Sequence, residues 1–397
     1  MHYASELFRS AFGKDLFINF RGGRQIPIHV GAKPPIENGE DRLSDSYIDK
    51  VRANPLLNQQ GDGMKSYAGI LFEAIITERD ITLIDEPEAF LHPPQMRLLG
   101  ETLAREVRGQ LFVATHSSDI LRGFLTGTQG GVRILRIQRD GDGNSVFEAA
   151  PEVIKELWER PILRYSNALE GIFHEQTIIC EDDSDCRLMN AVADFVKGES
   201  QLQWADTAYV PAGGKHNIPK IASALRGIGV PVKAIFDLDF LADSMLAREA
   251  VKAFGGKWED IETLWNRIDS AVREGKDAKT IDEIKSKIIE LCQDESEKLP
   301  KKEIIELMKQ KSVWWNVRRY GEDAFPRGNV RDDFKQLNNI LSSLGIFLVT
   351  VGEVENFCPD IGGHGPKFVT NLLSKVSLKD ERLRGLREFV KAVHLDA

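Results

Sequence analysis

TIICEDDSDC, residues 177–186, decides the fold. Thr177 to Cys180 reads as a short buried strand that runs directly into a carboxylate, Glu181. A helix starting near Asp183 would leave Glu181 at the strand tip and put Asp185 in the first helical turn, so both acids can face one ion. IFDLDF, residues 235–240, repeats the theme: the apolar run Val232–Phe236 ends in Asp237-Leu238-Asp239. Alternation along an extended chain puts Asp237 and Asp239 on one side. A third run, Ile346–Val351, leads into Gly352-Glu353-Val354-Glu355. Acids gathered this closely repel one another, and burial raises the cost. Divalent cations relieve both. Magnesium takes oxygen ligands and keeps waters. Two such ions about 4 Å apart can activate water and stabilise a leaving oxygen in phosphodiester cleavage. Within the first stretch, Asp182 and Asp183 compete with Glu181 and Asp185 as ligands.

Around these motifs the chain alternates strand and helix, which implies an α/β layer structure. Thr207–Val210 is a further strand, and about 245–330 is a polar stretch rich in Lys, Glu and Ile, predicted as a helical insertion. Residues 151–175 read as a helical connector. Upstream, DLFINF and QIPIHV predict two strands joined by a turn at Arg21-Gly22-Gly23-Arg24. Met64–Thr77 and Gln95–Val107 have helical spacing, Ile81–Ile84 and Leu111–Ala114 are buried strands, and Asp140-Gly141-Asp142-Gly143 is a hairpin turn.

A second constellation lies in that upstream part. ITLIDEPEAFLHP, residues 81–93, puts Asp85 and Glu86 directly after a strand. One acid there can hold magnesium and the next can orient an attacking water. His116 follows the next strand, so the two tips can lie side by side. Gly61-Asp62-Gly63 precedes a helix, and a Gly-rich turn at a helix N-terminus suits phosphate.

Bulk properties narrow the classes. With 397 residues, 42% hydrophobic and 28% charged, the chain has room for two globular domains. A net charge of −9 argues against tight general duplex binding but excludes no metal-dependent nuclease. The four cysteines, Cys180, Cys186, Cys292 and Cys358, form no C-x-x-C pair. No apolar run is long enough to span a bilayer, and the start lacks secretory features. A reduced, cytoplasmic chain without a membrane partner is expected.

DEPE followed by LHP, the histidine after the next strand and the Gly-Asp-Gly turn together resemble the ABC-type ATPases, including those of the OLD (overcoming-lysogenisation-defect) nucleases. Glu181 with Asp185, and Asp237 with Asp239, resemble the Toprim fold of topoisomerases, bacterial-type primases and OLD nucleases. VPAGGKHNIPKI, residues 210–221, looks like that fold's second strand and Gly-rich turn. The resemblance implies a C-terminal part of an ABC-type ATPase over 1–150, the connector, and a Toprim (Rossmann-like) domain over 176–397 that carries the insertion. It makes Asp85 the Walker B acid, Glu86 the catalytic carboxylate, His116 the switch histidine and Gly61-Asp62-Gly63 a divergent signature loop. VENF, residues 354–357, resembles the late acidic motif and singles out Glu355 over Glu353. A late lysine also belongs to the pattern, with Lys367 the best-placed residue and Lys375 behind it.

The implied activity is metal-dependent DNA endonuclease, with Mg2+ or Mn2+ in a two-metal site, DNA as substrate, self-association, and a role in defence against phage or plasmids. Topoisomerase chemistry needs a nucleophilic tyrosine, and none of the six has a context that marks it. A different class of reading is a non-catalytic or regulatory subunit that completes a composite ATPase with a partner. Trp314-Trp315 with Arg318-Arg319 can stack on bases and pair with phosphates, although packing of the insertion is the simpler expectation. No G-x-x-x-x-G-K-[ST] loop occurs, so the chain reads as N-terminally incomplete and as binding ATP only with that loop supplied from elsewhere. The purified chain alone is therefore predicted to hydrolyse ATP poorly or not at all. A phosphate-release assay showing robust turnover by this polypeptide would refute that.

Overall fold

The computed structural model describes residues 1–23, 26–37, 40–165, 167–199, 204–274, 281–292, 300–309 and 313–395. Arg24 of the expected turn and residues 275–280, 293–299 and 310–312 of the expected insertion lie outside them. The chain divides into two compact units, residues 1–135 with 149–164, and residues 136–148 with 165–397.

The first unit holds α1 (His2–Phe12), β1 (Asp15–Ile18), β2 (Ile28–Gly31), α2 (Asp45–Arg52), α3 (Asp62–Ile70), β3 (Ile81–Asp85), α4 (Pro93–Glu106), β4 (Gln110–Ala114), α5 (Ser118–Thr128) and α6 (Pro151–Glu159), with α7 (Pro161–Tyr165) at its end. β1 and β2 pair antiparallel, from Asp15 opposite Gly31 to Ile18 opposite Ile28. The helix expected over Met64–Thr77 has two parts. It is α-helical to Ile70 and widens into a π-helical segment, Leu71–Ile76, which Thr77 closes by donating its N–H to the Phe72 carbonyl. β3 and β4 pair in parallel, Ile81 opposite Gln110 through Asp85 opposite Ala114. Ile84, Leu111 and Val113 pack on a core built from Phe8, Tyr67, Leu71, Leu99 and Leu103. The other face of this pair is bare: Ile81, Leu83 and Phe112 are 58%, 76% and 56% exposed.

The second unit begins with the hairpin β5 (Leu135–Asp140) and β6 (Gly143–Glu148). The buried Arg136 fastens that hairpin by donating to the carbonyls of Ile172, His174 and Gly229. Then come β7 (Gln176–Cys180), α8 (Asp183–Glu199), β8 (Thr207–Pro211), α9 (Ile218–Arg226) and β9 (Val232–Asp237). Helices α10 (Ser244–Ala253), α11 (Glu259–Glu274), α12 (Ile281–Cys292), α13 (Lys301–Lys309), α14 (Trp315–Tyr320) and α15 (Asn329–Ser343) precede β10 (Ile346–Val349). α16 (Pro366–Lys375) and α17 (Arg384–Leu395) end the unit.

Four strands form one parallel sheet in the order β10-β9-β7-β8. Every residue of β7 and β10 is buried, as expected where helices cover both faces. α8, α16 and α17 share one core with β7 and β10 through Leu188, Val192, Phe368, Leu372, Leu386 and Val390. Parallel neighbours need a crossover, and α10 to α15 supply the long one between β9 and β10. The strand order reverses between β7 and β9, the switch point at which α/β folds open a crevice beyond the strands' carboxyl ends.

One buried cation braces this sheet. Lys233, the second residue of β9, donates from Nζ to the carbonyls of Val393 (2.8 Å) and His394 (3.4 Å) at the C-terminus of α17. A cation at that helix end also complements the dipole. The His394 ring stacks on Trp204 at 4.2 Å and meets the Tyr209 hydroxyl at 2.7 Å, and burial lowers its pKa to about 4. Among the described residues, no helix is long and apolar enough to cross a membrane.

Lys233→Met keeps the aliphatic stem but leaves these carbonyls without the ammonium. The expected loss is about 2 kcal/mol, the range for buried bonds to a charged group, read from urea unfolding. An unchanged midpoint would show that the ammonium braces nothing.

Candidate metal centre

Because β7, β9 and β10 are parallel neighbours, their carboxyl ends lie along one edge, and the acidic motifs follow those ends. Glu181 comes directly after β7, Asp185 lies in the first turn of α8, and Asp237 is the last residue of β9. Asp182 caps α8, accepting from the Ser184 N–H, the Ser184 hydroxyl and the Asp185 N–H. Asp183 is paired with Arg187. The two competing acids of this stretch thus have other partners.

Asp239 arrives differently from the sequence expectation. The strand ends at Asp237 and the chain turns into a short 3-10 segment, Leu238–Ala242, so Asp239 does not share a strand face with Asp237. Two cations meet it instead. Lys215 Nζ lies 2.8 Å from one carboxylate oxygen, and Arg318 approaches the other at 3.5 Å. Lys215 follows the Gly213-Gly214 turn after β8, where both glycines have positive φ and the Gly214 N–H donates to the Glu181 carbonyl at 2.8 Å.

After β10, Gly352 makes the turn with φ +108, and a Cβ there would fall 2.1 Å from the Arg318 carbonyl. Only glycine fits. Glu353 then accepts from Arg318 Nε at 2.9 Å. Glu355 accepts from the Gly365 N–H at 2.7 Å and lies 2.6 Å from His364 Nδ1. Asn356 of VENF donates to the carbonyls of Val351, Arg318 and Arg319, tying α14 to this loop. Ligand atoms of Glu353, Glu355 and His364 lie within 4.8 Å of one another, a group able to hold a metal ion.

The five singled-out acids bear on one another electrostatically, although among the described residues only Glu355 of them belongs to a group whose ligand atoms all fall within 4.8 Å of one another. Burial, then Glu181, Asp185, Asp239 and Glu355, push the Asp237 carboxyl well above its ordinary range. Burial, then the charges of Asp182, Glu181 and Glu355, raise Asp185 to about 7. Burial and Asp239 raise Glu181, against Lys215 and Arg318. One Glu181 oxygen, Oε1, is buried without a hydrogen-bond partner. An orphaned anionic oxygen inside an oxygen-rich donor set fits a hard divalent cation.

Lys367 is exposed at the second residue of α16, and Lys375 is exposed at that helix's far end. Among the described residues, the Lys and Arg side chains bonded within the acidic network are Lys215 and Arg318. Lys215 had a signal, a Gly-Gly-Lys at a strand end, and Arg318 had little, since it comes from the insertion. His364 stands in a Gly-rich turn without the H-x-x-x-H or Cys/His spacing that marks structural zinc sites.

The first unit brings its motifs together at the tips of β3 and β4. The Glu86 N–H donates to the Ala114 carbonyl at 2.9 Å, with Glu86 at φ 46. His116 Nε2 lies 3.9 Å from Glu86 Oε1. Glu88 links the loops, one oxygen accepting from the Thr115 hydroxyl and the His116 N–H, both at 2.8 Å. Its other oxygen is buried without a partner. Asp85 closes β3 as an exposed residue. Gly61 caps α3, Asp62 pairs with Lys65 at 2.7 Å, and Gly63 packs so tightly on the Phe90 carbonyl that a Cβ would come within 2.5 Å.

Two family models match this chain. Residues 25–122 match one described as "AAA domain, putative AbiEii toxin, Type IV TA system". Residues 172–239 match another, the Toprim domain of overcoming-lysogenization-defect-like proteins. Among individual proteins, the Old nuclease of Escherichia phage P2 is 24% identical over 174 residues, 42% of this chain and 29% of that protein. The chain thus spans less than a third of that relative's length. A solved structure from work on ATP-driven dimerization and DNA-stimulated activation of SMC ATPases aligns with 38% of this chain and 82% of its own, at 14% identity. Its TM-score of 0.28 is too low to bear on the fold.

The raised carboxyls fix a sign for pH dependence. A carboxyl whose pKa rises on folding contributes stability that is full below its unfolded value, 3.8 for Asp185, and lost as pH climbs through its folded value of about 7. In EDTA the thermal midpoint is expected to fall between about pH 4 and 7, less steeply in Asp185→Asn. Magnesium or manganese should restore it near neutral pH. A midpoint indifferent to both pH and cation would contradict this electrostatic picture.

Proposed function

From the premise that this chain belongs to the OLD family, joining an AAA-type domain to a Toprim domain, we propose that it is a metal-dependent DNA endonuclease. What supports this reading is that Glu181, Asp185, Asp237, Asp239 and Glu355 all stand at or beyond the carboxyl ends of three adjacent parallel strands, with a buried Glu181 oxygen left unbonded. Glu355 with Glu353 and His364, whose ligand atoms lie within 4.8 Å of one another, and the other four acids beside them would hold Mg2+ or Mn2+. Such ions neutralise the clustered charge, lower the pKa of a bound water and stabilise the leaving oxygen of a phosphodiester.

The protein's own residues prepare that chemistry. Lys215 and Arg318 hold Asp239 in place and supply positive charge where a phosphate would sit. Arg318 offers a planar fork suited to phosphate oxygens and Lys215 a point charge. Gly352 and Asn356 fix the loop that carries Glu353 and Glu355. Lys367, three residues after His364, stays as a further cation for the bound strand. Self-association and defence against phage or plasmids are part of this proposal on the family resemblance alone.

A second reading has an observation behind it. β3 and β4 expose Ile81, Leu83 and Phe112 on an uncovered face, which favours a subunit role in which a partner completes the ATPase and supplies a phosphate-binding loop. ATP would then bind near Gly61, Asp62, Gly63, Asp85, Glu86 and His116.

Nicking of supercoiled plasmid in Mg2+ or Mn2+ separates the two. Asp237→Ala should lower it by more than about 100-fold, beyond the loss expected for an outer-shell partner. Plasmid left intact by the wild-type chain in both metals, with a P-loop protein co-purifying, would replace the nuclease with the subunit.

A further inference from the structure

The tryptophan pair of the insertion divides into two roles. Trp314 is 2% exposed, donates from Nε1 to Asp269 at 3.0 Å and meets Phe325 edge-on, so it is packing. Trp315 is only half-buried, and Tyr320, 57% exposed, stands edge-on to it at 6.4 Å and 87°. The Arg319 guanidinium lies 5.0 Å from the Trp315 ring centre and 5.6 Å from that of Tyr320. These three side chains line a cleft of about 1240 Å³ that also reaches Lys215, Asp239 and Arg318 of the acidic centre.

Duplex DNA hides its base faces in the stack, so aromatic rings left open to a cleft have nothing to stack on in an intact duplex. An unpaired base does offer such a face, and rings with an interleaved guanidinium are the usual platform for it. The volume exceeds what one small ligand needs, about 300–1,000 Å³, and can admit a nucleotide with its neighbouring phosphates. Asp243, Glu322 and Asp323 also line the cleft, which disfavours a dense run of phosphates except near the cations. We propose that Trp315 and Tyr320, bridged by Arg319, form a stacking subsite for an unpaired base of the DNA strand beside the metal centre, so that the substrate is single-stranded or locally opened DNA. This rests on the endonuclease reading for its ligand and names the substrate class of the same site.

Binding without cleavage tests it independently of that reading. Fluorescence anisotropy with calcium in place of magnesium compares a labelled oligothymidine, an abasic strand of equal length and a blunt duplex. The wild-type chain should bind the thymidine strand roughly 5- to 150-fold more tightly than the abasic strand, the span of one stacked base. Trp315→Ala and Tyr320→Ala should each erode that preference, and Trp315→Phe, which retains a ring, should keep it. Tyr320 is exposed enough that its loss spares folding, and the wild-type contrast between base-bearing and abasic strands needs no variant. Equal affinity for the two strands, preference for the duplex, or a preference surviving both alanine changes overturns the subsite. Strand binding with the expected preference but no plasmid nicking in magnesium or manganese would sink the nuclease and leave the stacking site standing.

Discussion

Mutual repulsion among carboxylates that a parallel sheet forces to one edge is the constraint on which the second unit depends. Parallel pairing of β7, β9 and β10 leaves no freedom about where their carboxyl ends lie. Each of these strands is followed by acid, so the register that buries Ile179 beside Ala234 also gathers the anions. Burial then raises their pKa values, as with Asp185 near 7, because water no longer screens them. A fold that buried the same apolar residues without this charge would be easier to stabilise. The charge is therefore a cost of the site rather than a support of the fold.

Much of the visible structure counters that repulsion. Lys215 and Arg318 both bond Asp239, and Arg318 extends the network to Glu353. Arg318 comes from α14 within the inserted helices, so the insertion contributes directly to the centre. Asn356 locks the link in the other direction by holding the carbonyls of Arg318 and Arg319. The insertion and the loop after β10 thus position each other, and the cleft wall of Trp315 and Tyr320 comes with that link. A polar network of this kind fixes geometry more than it adds stability, since its members are partly solvated and mutually dependent.

Much of this was readable from residue order. An apolar run ending in an acid, met three times, locates strand tips without knowledge of the sheet, because strand termination and acid placement are local. Pairing is not local. That β9 and β10 are neighbours across the inserted helices left no trace in spacing, so Arg318 could not be assigned to Asp239. Asp237 and Asp239 show a subtler gap. Alternation placed them on one strand face, yet the chain leaves the strand at Asp237 and the two come near through a 3-10 turn. His364 was also hidden, because nothing around it in sequence indicates that it will meet Glu355. The π-helical segment after Ile70 depends on wider hydrogen bonding that apolar periodicity does not register.

The first unit obeys the same rule with a different balance. Its acids also stand at the carboxyl ends of parallel strands, but among the described residues the sheet has only β3 and β4, and Leu83 and Phe112 face water. Each large apolar side chain left exposed forgoes about 1.5–3 kcal/mol of burial. The loops are held less by the sheet than by Glu88, whose one bonded oxygen joins the turn after β3 to the turn after β4. Its second oxygen is buried and unbonded, and Glu86 sits in a left-handed conformation beside His116. Strain and an unsatisfied anion at those tips, together with a bare apolar face, are features that a covering surface and a cationic ligand would relieve together. The two units thus differ in where the unmet demand lies: at the anionic edge alone in the second, and at both edge and face in the first.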